Sequence, residues 1–260
     1  MVLDSANYSG PPDCAPALVV VAGQSNALGY TLGPDDLPPH LRGPIARVMI
    51  WDSASQAFTP LQAGVNTGTA NNPGAWGPEA QLAFRWRQDH PCGDLYVVKY
   101  ARGETGLARD PAHSDWSPSS AGEVWEKATA EVEAAKATLR GQNQALRVGA
   151  VFWMQGETDA EDTRKAAAYQ QNLSSLVMHI RARWGDEQTR IYIGQIDDPP
   201  GSVTGWDEVR RAQAAVAAAT PEVHLTDTDA LPRQPSDGVH LTGAGQVGLG
   251  ERFYELYRAR

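Results

Sequence analysis

The chain has 260 residues, of which 42% are hydrophobic and 20% charged, a composition typical of a globular protein rather than a disordered one. Its 31 acidic residues outnumber the 22 basic ones and leave a formal net charge of −9, which argues against nucleic acid or an anionic membrane surface as a partner. The apolar runs, such as residues 17–22, are too short to cross a bilayer.

The N-terminal segment and the cysteines bear on location and redox state. No basic stretch followed by an apolar stretch opens the chain, so we expect a cytoplasmic protein, or a secreted or periplasmic one if a signal has been removed. Residues 1–16 are expected to form an extension ahead of a single domain at 17–260. Two cysteines without a Cys-x-x-Cys motif exclude a thiolate zinc knuckle. Cys14 and Cys92 could form one bridge, but we expect two independent thiols.

Alternating strand and helix patterns run along the rest of the chain. Short apolar runs predict strands at 18–22, 47–51, 95–100, 148–154, 191–196 and 223–226. Helical spacing of apolar residues predicts helices at 78–88, 122–140, 161–183, 207–219 and 242–257. The polar stretch 52–77 predicts a long loop. This succession predicts an α/β fold: a single-domain, three-layer α/β/α sandwich with a mostly parallel sheet of about five strands.

A serine follows the first predicted strand, in the sequence Gly23-Gln24-Ser25-Asn26. In open parallel sheets a binding site lies at the carboxyl ends of the strands. The site residues are therefore expected in the loops that follow the strands, at 23–30, 101–120, 155–162 and 197–205. Ser25 stands where a nucleophile would be presented, at the start of a helix whose amides can face an oxyanion. The alternative is a serine that only caps the helix.

A serine nucleophile needs a base that is held by a third group. Among the six histidines we favour His240, because Asp237 lies three residues before it in a loop and Gly238 allows the tight turn between them. The alternative is a solvated surface histidine.

Two further segments lie just beyond predicted strands. Gln155 ends an apolar strand and is followed by Glu157 and Asp159, which can orient the glutamine amide or cap the next helix. Gly103 follows another strand and allows close backbone approach to a ligand, although it is equally well an ordinary loop glycine.

These short blocks resemble those of the SGNH hydrolase superfamily, and more narrowly its sialate O-acetylesterase-like branch, which includes carbohydrate esterase family six. The blocks that carry the resemblance are Gly23-Gln24-Ser25-Asn26, Trp153-x-Gln155-Gly156-Glu157-x-Asp159 and Asp237-x-x-His240, with support from Gly77-Pro78-Glu79 and Lys99-x-Ala101-x-Gly103-x-Thr105. The resemblance spans residues 17 to about 253 and implies the flavodoxin-like SGNH fold.

Carried over by position, the resemblance implies a role for each site residue. Ser25 would be the nucleophile, His240 the general base and then acid, and Asp237 the residue that orients the imidazole. The oxyanion would rest on the backbone N–H groups of Ser25 and Gly103 and on the side chain of Gln155. The family usually has Gly-Gly-Thr in the second block, whereas this chain has Glu104 in the middle, which narrows the allowed backbone angles.

Side chains that touch the substrate are harder to predict. Gln24, Asn26, Glu157 and Asp159 are candidates for substrate contact or for support of the triad. Trp76, Trp116 and Trp206 lie in predicted loops and are candidates for stacking on a sugar; the alternative is that each packs under a loop.

The resemblance therefore implies a serine esterase that hydrolyses O-acetyl or other short acyl esters on carbohydrates through an acyl-enzyme. The resemblance implies no metal and no organic cofactor. The alternatives are an inactive carbohydrate-binding member of the fold and an SGNH lipase or thioesterase with a longer acyl substrate. The polar loops 52–77 and 110–120 favour a small acyl group, because long acyl chains need an apolar groove.

Overall fold

A seven-stranded sheet forms the centre of the computed structural model, which describes residues 3–4, 8, 10–197 and 204–259. The strands are β1 (Ala17–Gly23), β2 (Pro44–Asp52), β3 (Ala57–Gln62), β4 (Leu95–Ala101), β5 (Val148–Met154), β6 (Arg190–Gly194) and β7 (Val223–Thr226). Their order across the sheet is β3-β2-β4-β1-β5-β6-β7, and every neighbouring pair is parallel except β2 and β3.

The predicted α/β class is confirmed, but the expected count of about five strands was wrong. Six of the seven strands correspond to the six apolar runs identified in the sequence. The seventh, β3, lies inside the segment 52–77, which the sequence predicted to be loop. β3 contains Pro60 and pairs antiparallel with β2 at the edge of the sheet. An edge strand tolerates a proline because one side of it has no neighbouring strand to receive an N–H, and this hides the strand from pattern analysis.

Seven α-helices accompany the sheet within the described residues. They are α1 (Ser25–Leu28), α2 (Pro78–Asp89), α3 (Val124–Gly141), α4 (Glu157–Ala160), α5 (Thr163–Arg183), α6 (Thr204–Ala219) and α7 (Gly243–Arg258). α2 packs against α7, and α5 packs against α6. The predicted helix at 161–183 begins two residues later because the Asp162 side chain caps it, accepting the N–H of Arg164 at 2.8 Å. None of the described helices is long and apolar enough to cross a membrane.

A disulfide joins Cys14 to Cys92, with 4.6 Å between the two Cα atoms, so the expectation of two independent thiols was wrong. β1 and β4 are neighbours, and their register pairs Ala17 with Leu95. Each cysteine stands three residues before one of these paired positions, so the strand register itself brings the two side chains together. The bridge lies at the amino ends of the strands, opposite the edge where the candidate site residues lie.

Candidate active site

Ser25 begins α1 one residue after Gln24, directly beyond the end of β1. The turn requires a glycine at position 23, where φ is +140° and a Cβ would lie 2.0 Å from the carbonyl oxygen of Met154 on β5. The backbone N–H of Gln24 donates to that same carbonyl at 2.9 Å. The serine is therefore held against the carboxyl ends of the two central strands.

His240 and Asp237 form a hydrogen-bonded pair in the loop before α7. The imidazole Nδ1 lies 2.9 Å from Asp237 Oδ2, and Asp237 Oδ1 accepts the backbone N–H groups of Val239 at 2.8 Å and His240 at 2.9 Å. Gly238 has φ +68° and makes the tight turn that was expected between them. The carboxylate thus fixes both the imidazole ring and the backbone that carries it.

Hydrogen bonding keeps the Asp237 carboxylate charged. Partial burial raises the pKa of Asp237, but the hydrogen bonds from the His240 imidazole and from the backbone N–H groups of His240 and Val239 outweigh it, so the pKa lies below its ordinary value. A charged carboxylate at this position stabilises an imidazolium at His240.

Asn26, the residue after Ser25, binds both neighbours of His240. Its Oδ1 accepts the backbone N–H of Leu241 at 2.9 Å, and its Nδ2 donates to the carbonyl of Val239 at 3.1 Å. The second Nδ2 hydrogen donates to Glu157 Oε1 at 2.8 Å. The Asn26 side chain therefore links three segments: the loop 227–242 that carries His240 (the histidine loop), the turn 23–25 that carries the serine (the serine turn), and the segment after β5.

The sequence contains a second Asp-x-x-His, from Asp110 to His113, which the sequence analysis did not single out. Its imidazole Nδ1 lies 3.1 Å from Asp110 Oδ2, but the histidine side chain is 71% exposed. The same carboxylate oxygen also accepts Lys165 Nζ at 2.6 Å. Among the residues that the structure describes, this pair has no hydrogen bond to the turn that bears Ser25, so it provides a comparison for the Asp237–His240 pair.

Gly103 follows β4 and lies beside the serine: a Cβ on Gly103 would be 3.8 Å from Ser25 Cβ. Among the described residues, the backbone N–H groups of Ser25 and Gly103 have no acceptor, so both are available to a ligand. Glu104 has φ +58°, a left-handed conformation that favours glycine. The backbone at position 104 therefore keeps the conformation of a glycine, although this chain has a glutamate there, and the Glu104 backbone is strained.

Gln155 is fully buried, and its side-chain amide is engaged inside the protein. Nε2 donates to the carbonyl of Thr105 at 3.2 Å and to Asp159 Oδ2 at 2.6 Å, while Oε1 accepts the hydroxyl of Tyr169 at 3.0 Å. Both Nε2 hydrogens are used, so the expectation that this amide donates directly to an oxyanion is not met in this structure. Gln155 instead holds the loop that contains Gly103.

The other polar side chains named from the sequence are buried and support the loops. Asp159 accepts the backbone N–H of Leu107 at 2.7 Å and of Ala108 at 3.0 Å, beside its bond to Gln155. Gln24 Oε1 accepts the N–H of Gly156 at 3.3 Å. Burial raises the pKa of Asp159 and of Glu157, which the hydrogen bonds to each carboxyl oppose. These side chains are therefore buried and hydrogen-bonded to neighbouring loops of the protein.

The three candidate tryptophans are packing residues. Trp76 and Trp116 are completely buried and Trp206 is 6% exposed. Their indole N–H groups are engaged at two positions: Trp76 donates to the carbonyl of Gly33 at 3.0 Å, and Trp116 donates to Thr105 Oγ1 at 3.1 Å. The burial of all three rings favours the alternative given above, that they pack under loops.

A buried ion pair between Lys99 and Glu79 contacts the end of α1, and the sequence did not predict this contact. Lys99 Nζ donates to Glu79 Oε1 at 2.8 Å and to the carbonyl of Leu28, the last residue of α1, at 2.9 Å. Glu79 also accepts the N–H of Gly77 at 2.9 Å. Burial lowers the pKa of Lys99, and the Glu79 carboxylate opposes that effect. The family blocks that contain these two residues were quoted from the sequence, but their contact depends on the packing of β4 against α2.

Of the loop 197–205, residues 198–203 lie outside the described residues. Within the described part of the chain, one group of potential metal ligands lies close together, Asp13, Cys14 and Cys92, and its two cysteines are bonded to each other. That group lies away from Ser25, at the other end of the sheet.

Comparison with known proteins decides the family. A family model described as carbohydrate esterase, sialic acid-specific acetylesterase, matches residues 16–259. The chain belongs to this family. The resemblance inferred from the sequence is thereby confirmed, and family membership makes the protein a carboxylic ester hydrolase of the carbohydrate esterase class.

One curated relative is similar in sequence, and several solved structures share the fold. The chain is 25% identical to a probable carbohydrate esterase of Arabidopsis thaliana over an alignment of 259 residues, which covers 88% of this chain and 97% of the relative. A solved Arabidopsis thaliana structure shares the fold with a TM-score of 0.76 at 22% identity, covering 94% of this chain and 98% of that one. NanS superposes with a TM-score of 0.67 at 16% identity, covering 94% and 98% of the two chains. A carbohydrate acetylesterase from Xanthomonas citri superposes with a TM-score of 0.61 at 18% identity, covering 93% and 55%.

Proposed function

We propose that this member of the family is a serine esterase that removes acetyl or other short acyl groups from carbohydrates through an acyl-enzyme. The observation that carries the proposal is the contact of Asn26 with both neighbours of His240, because it brings the Asp237–His240 pair to the turn that bears Ser25. A hydroxyl, an imidazole and a carboxylate at one edge of the sheet are the groups that nucleophilic ester hydrolysis requires.

The proposed reaction uses groups of the chain for each proton transfer. His240 takes the proton of the Ser25 hydroxyl as its oxygen attacks the ester carbonyl, and the tetrahedral intermediate collapses with breakage of the bond to the sugar oxygen. The imidazolium gives its proton to that oxygen, which leaves as an alcohol. Water, deprotonated by His240, then attacks the acyl-serine, releases the carboxylic acid and restores the serine hydroxyl.

The oxyanion is assigned to the two backbone amides of Ser25 and Gly103, whose N–H groups have no acceptor among the described residues. Gln155 and Asp159 act in this proposal by holding the loop of Gly103, through the carbonyl of Thr105 and the N–H groups of Leu107 and Ala108. Removal of one oxyanion donor in serine hydrolases lowers the rate by about 10²–10³-fold.

Turnover of p-nitrophenyl acetate and labelling by a fluorophosphonate test the proposal together. Ser25→Ala is expected to abolish both, whereas Ser174→Ala, which removes a hydroxyl bonded to the carbonyl of Gln170 on α5, is expected to change neither. Labelling and turnover that persist in Ser25→Ala would remove Ser25 from the mechanism.

The same assays separate the alternatives. An inactive carbohydrate-binding protein would show no labelling and no turnover in the unmodified chain. A lipase or thioesterase would favour p-nitrophenyl octanoate over the acetate. Acetate release from acetylated xylan, O-acetylated sialic acid and simple acetyl sugars would then identify the alcohol.

A further inference from the structure

Tyr30 is an exposed aromatic residue next to the candidate base. Its side chain is 43% exposed, and its ring centroid lies 5.0 Å from that of the His240 imidazole, with 53° between the two planes. Among the described residues it is the one tyrosine, tryptophan or phenylalanine that is strongly exposed. The tryptophans near the site are buried, so Tyr30 offers the open aromatic surface at this edge of the sheet.

The backbone holds Tyr30 in a fixed relation to Ser25. The N–H groups of Gly29 and Tyr30 both donate to the carbonyl of Ser25 at 3.0 Å. Gly29 has φ +82°, and a Cβ there would lie 1.7 Å from the carbonyl oxygen of Trp76, so the turn admits no larger residue. The next residue, Thr31, accepts a hydrogen bond at 3.3 Å from Gln234 in the histidine loop.

We propose that Tyr30 is a substrate-binding residue whose ring stacks on the pyranose that carries the ester. This inference rests on the proposed function and adds the position of the sugar. A pyranose offers a face of C–H groups, which packs well on an aromatic ring, while its hydroxyls stay in water. The Tyr30 ring is exposed and its centroid lies 5.0 Å from that of the His240 imidazole, so a sugar stacked on it lies next to His240. The leaving alcohol then lies beside the imidazole that protonates it.

The test compares two acetyl esters, one with a sugar ring and one without. Tetra-O-acetyl xylopyranose supplies the ring, and glycerol triacetate supplies the same acyl group on an acyclic alcohol. p-Nitrophenyl acetate is unsuitable here because its own aromatic ring could stack on Tyr30. Acetic acid release is followed in a pH-stat for the unmodified enzyme, Tyr30→Ala and Tyr30→Phe.

Tyr30→Ala is expected to lower kcat/KM for the acetylated xylose about tenfold, mainly through KM, because stacking strengthens binding by the equivalent of about that factor. The same variant is expected to keep kcat/KM for glycerol triacetate within about twofold. Tyr30→Phe retains the ring and is expected to match the unmodified enzyme on both esters. Met178→Ala, which truncates a 64% exposed side chain on α5, is expected to change neither rate.

Two results would overturn the proposal. An equal fall on both esters in Tyr30→Ala would mean that Tyr30 positions His240 and does not contact the sugar. Unchanged rates on both esters would mean that the ring contributes nothing to binding. Failure of the proposed function gives a different result, since the unmodified enzyme would then release no acid from either ester.

Discussion

The side-chain oxygen of Asn26 accepts the backbone N–H of Leu241 at 2.9 Å, which links the residue after the candidate nucleophile to the residue after the candidate base. The Asn26 amide also donates to Glu157 Oε1 at 2.8 Å, so one buried side chain joins three segments that are distant in sequence. The three hydrogen bonds of this side chain lead us to predict that Asn26 positions His240.

Asn26→Asp is expected to lower kcat by at least about tenfold, because it sets a carboxylate against the Glu157 oxygen in place of a donor. The double variant Asn26→Asp/Glu157→Gln returns a donor to this contact and keeps the acceptor for Leu241. We expect it to recover part of the lost rate, measured as kcat on p-nitrophenyl acetate. Strictly additive effects in this double-mutant cycle would contradict the coupling.

Asp237→Asn is expected to reduce turnover by on the order of 10⁴-fold, as loss of the carboxylate does in other serine hydrolase triads, because the amide favours the wrong imidazole tautomer. The matched control is His113→Ala, which disrupts the exposed Asp110–His113 pair and should leave turnover unchanged. Equal losses of turnover in the two variants would contradict a specific role of Asp237 in catalysis.

The same carboxylate predicts a pH dependence of folding. The pKa of Asp237 is lower in the folded protein than its ordinary value, so its ionised form stabilises the fold above the ordinary carboxyl pKa. That contribution is lost as the pH falls through the lowered folded pKa. The difference in Tm between the unmodified protein and Asp237→Asn should reach its full size above about pH 5 and should vanish at strongly acidic pH. A difference that stays constant with pH would contradict the lowered pKa.

Lys99→Met is expected to destabilise the protein by about 3–5 kcal/mol, because it leaves the fully buried Glu79 carboxylate without its cation. Lys99→Met/Glu79→Gln removes both charges and should cost less than the single variant. The free energy of unfolding from urea titration, with an unchanged m value, measures both effects. A double variant as unstable as the sum of the singles would show that the charges do not interact.

Cys14→Ser is expected to lower the free energy of unfolding by about 2–5 kcal/mol, because the bridge closes a long loop, with a sequence separation of 78, in the unfolded chain. A reductant should destabilise the unmodified protein by a similar amount and leave Cys14→Ser unaffected. Identical urea midpoints with and without reductant would show that the bridge does not contribute.

Local patterns in the sequence were sufficient for the class of fold and for the family. Buried strands appear as apolar runs and helices as a 3.6-residue spacing, so six of the seven sheet strands could be predicted from their own residues. The exception is β3, an edge strand that contains Pro60, and a proline in a sequence is more typical of a loop than of a strand. The candidate triad could also be named, because Ser25 and the Asp237–His240 turn each lie in a recognisable local context.

Only the tertiary structure decided the contacts between these segments. The disulfide follows from the register of β1 against β4, which no local pattern specifies. The burial of Trp116 and the engagement of the Gln155 amide depend on loops that fold over them from distant parts of the chain. The exposure of Tyr30 likewise depends on the tertiary structure, because the segments that pack around it leave its side chain partly uncovered. Secondary structure depends on near neighbours in sequence, whereas register, burial and hydrogen-bond partners depend on side chains that meet only when the sheet has formed.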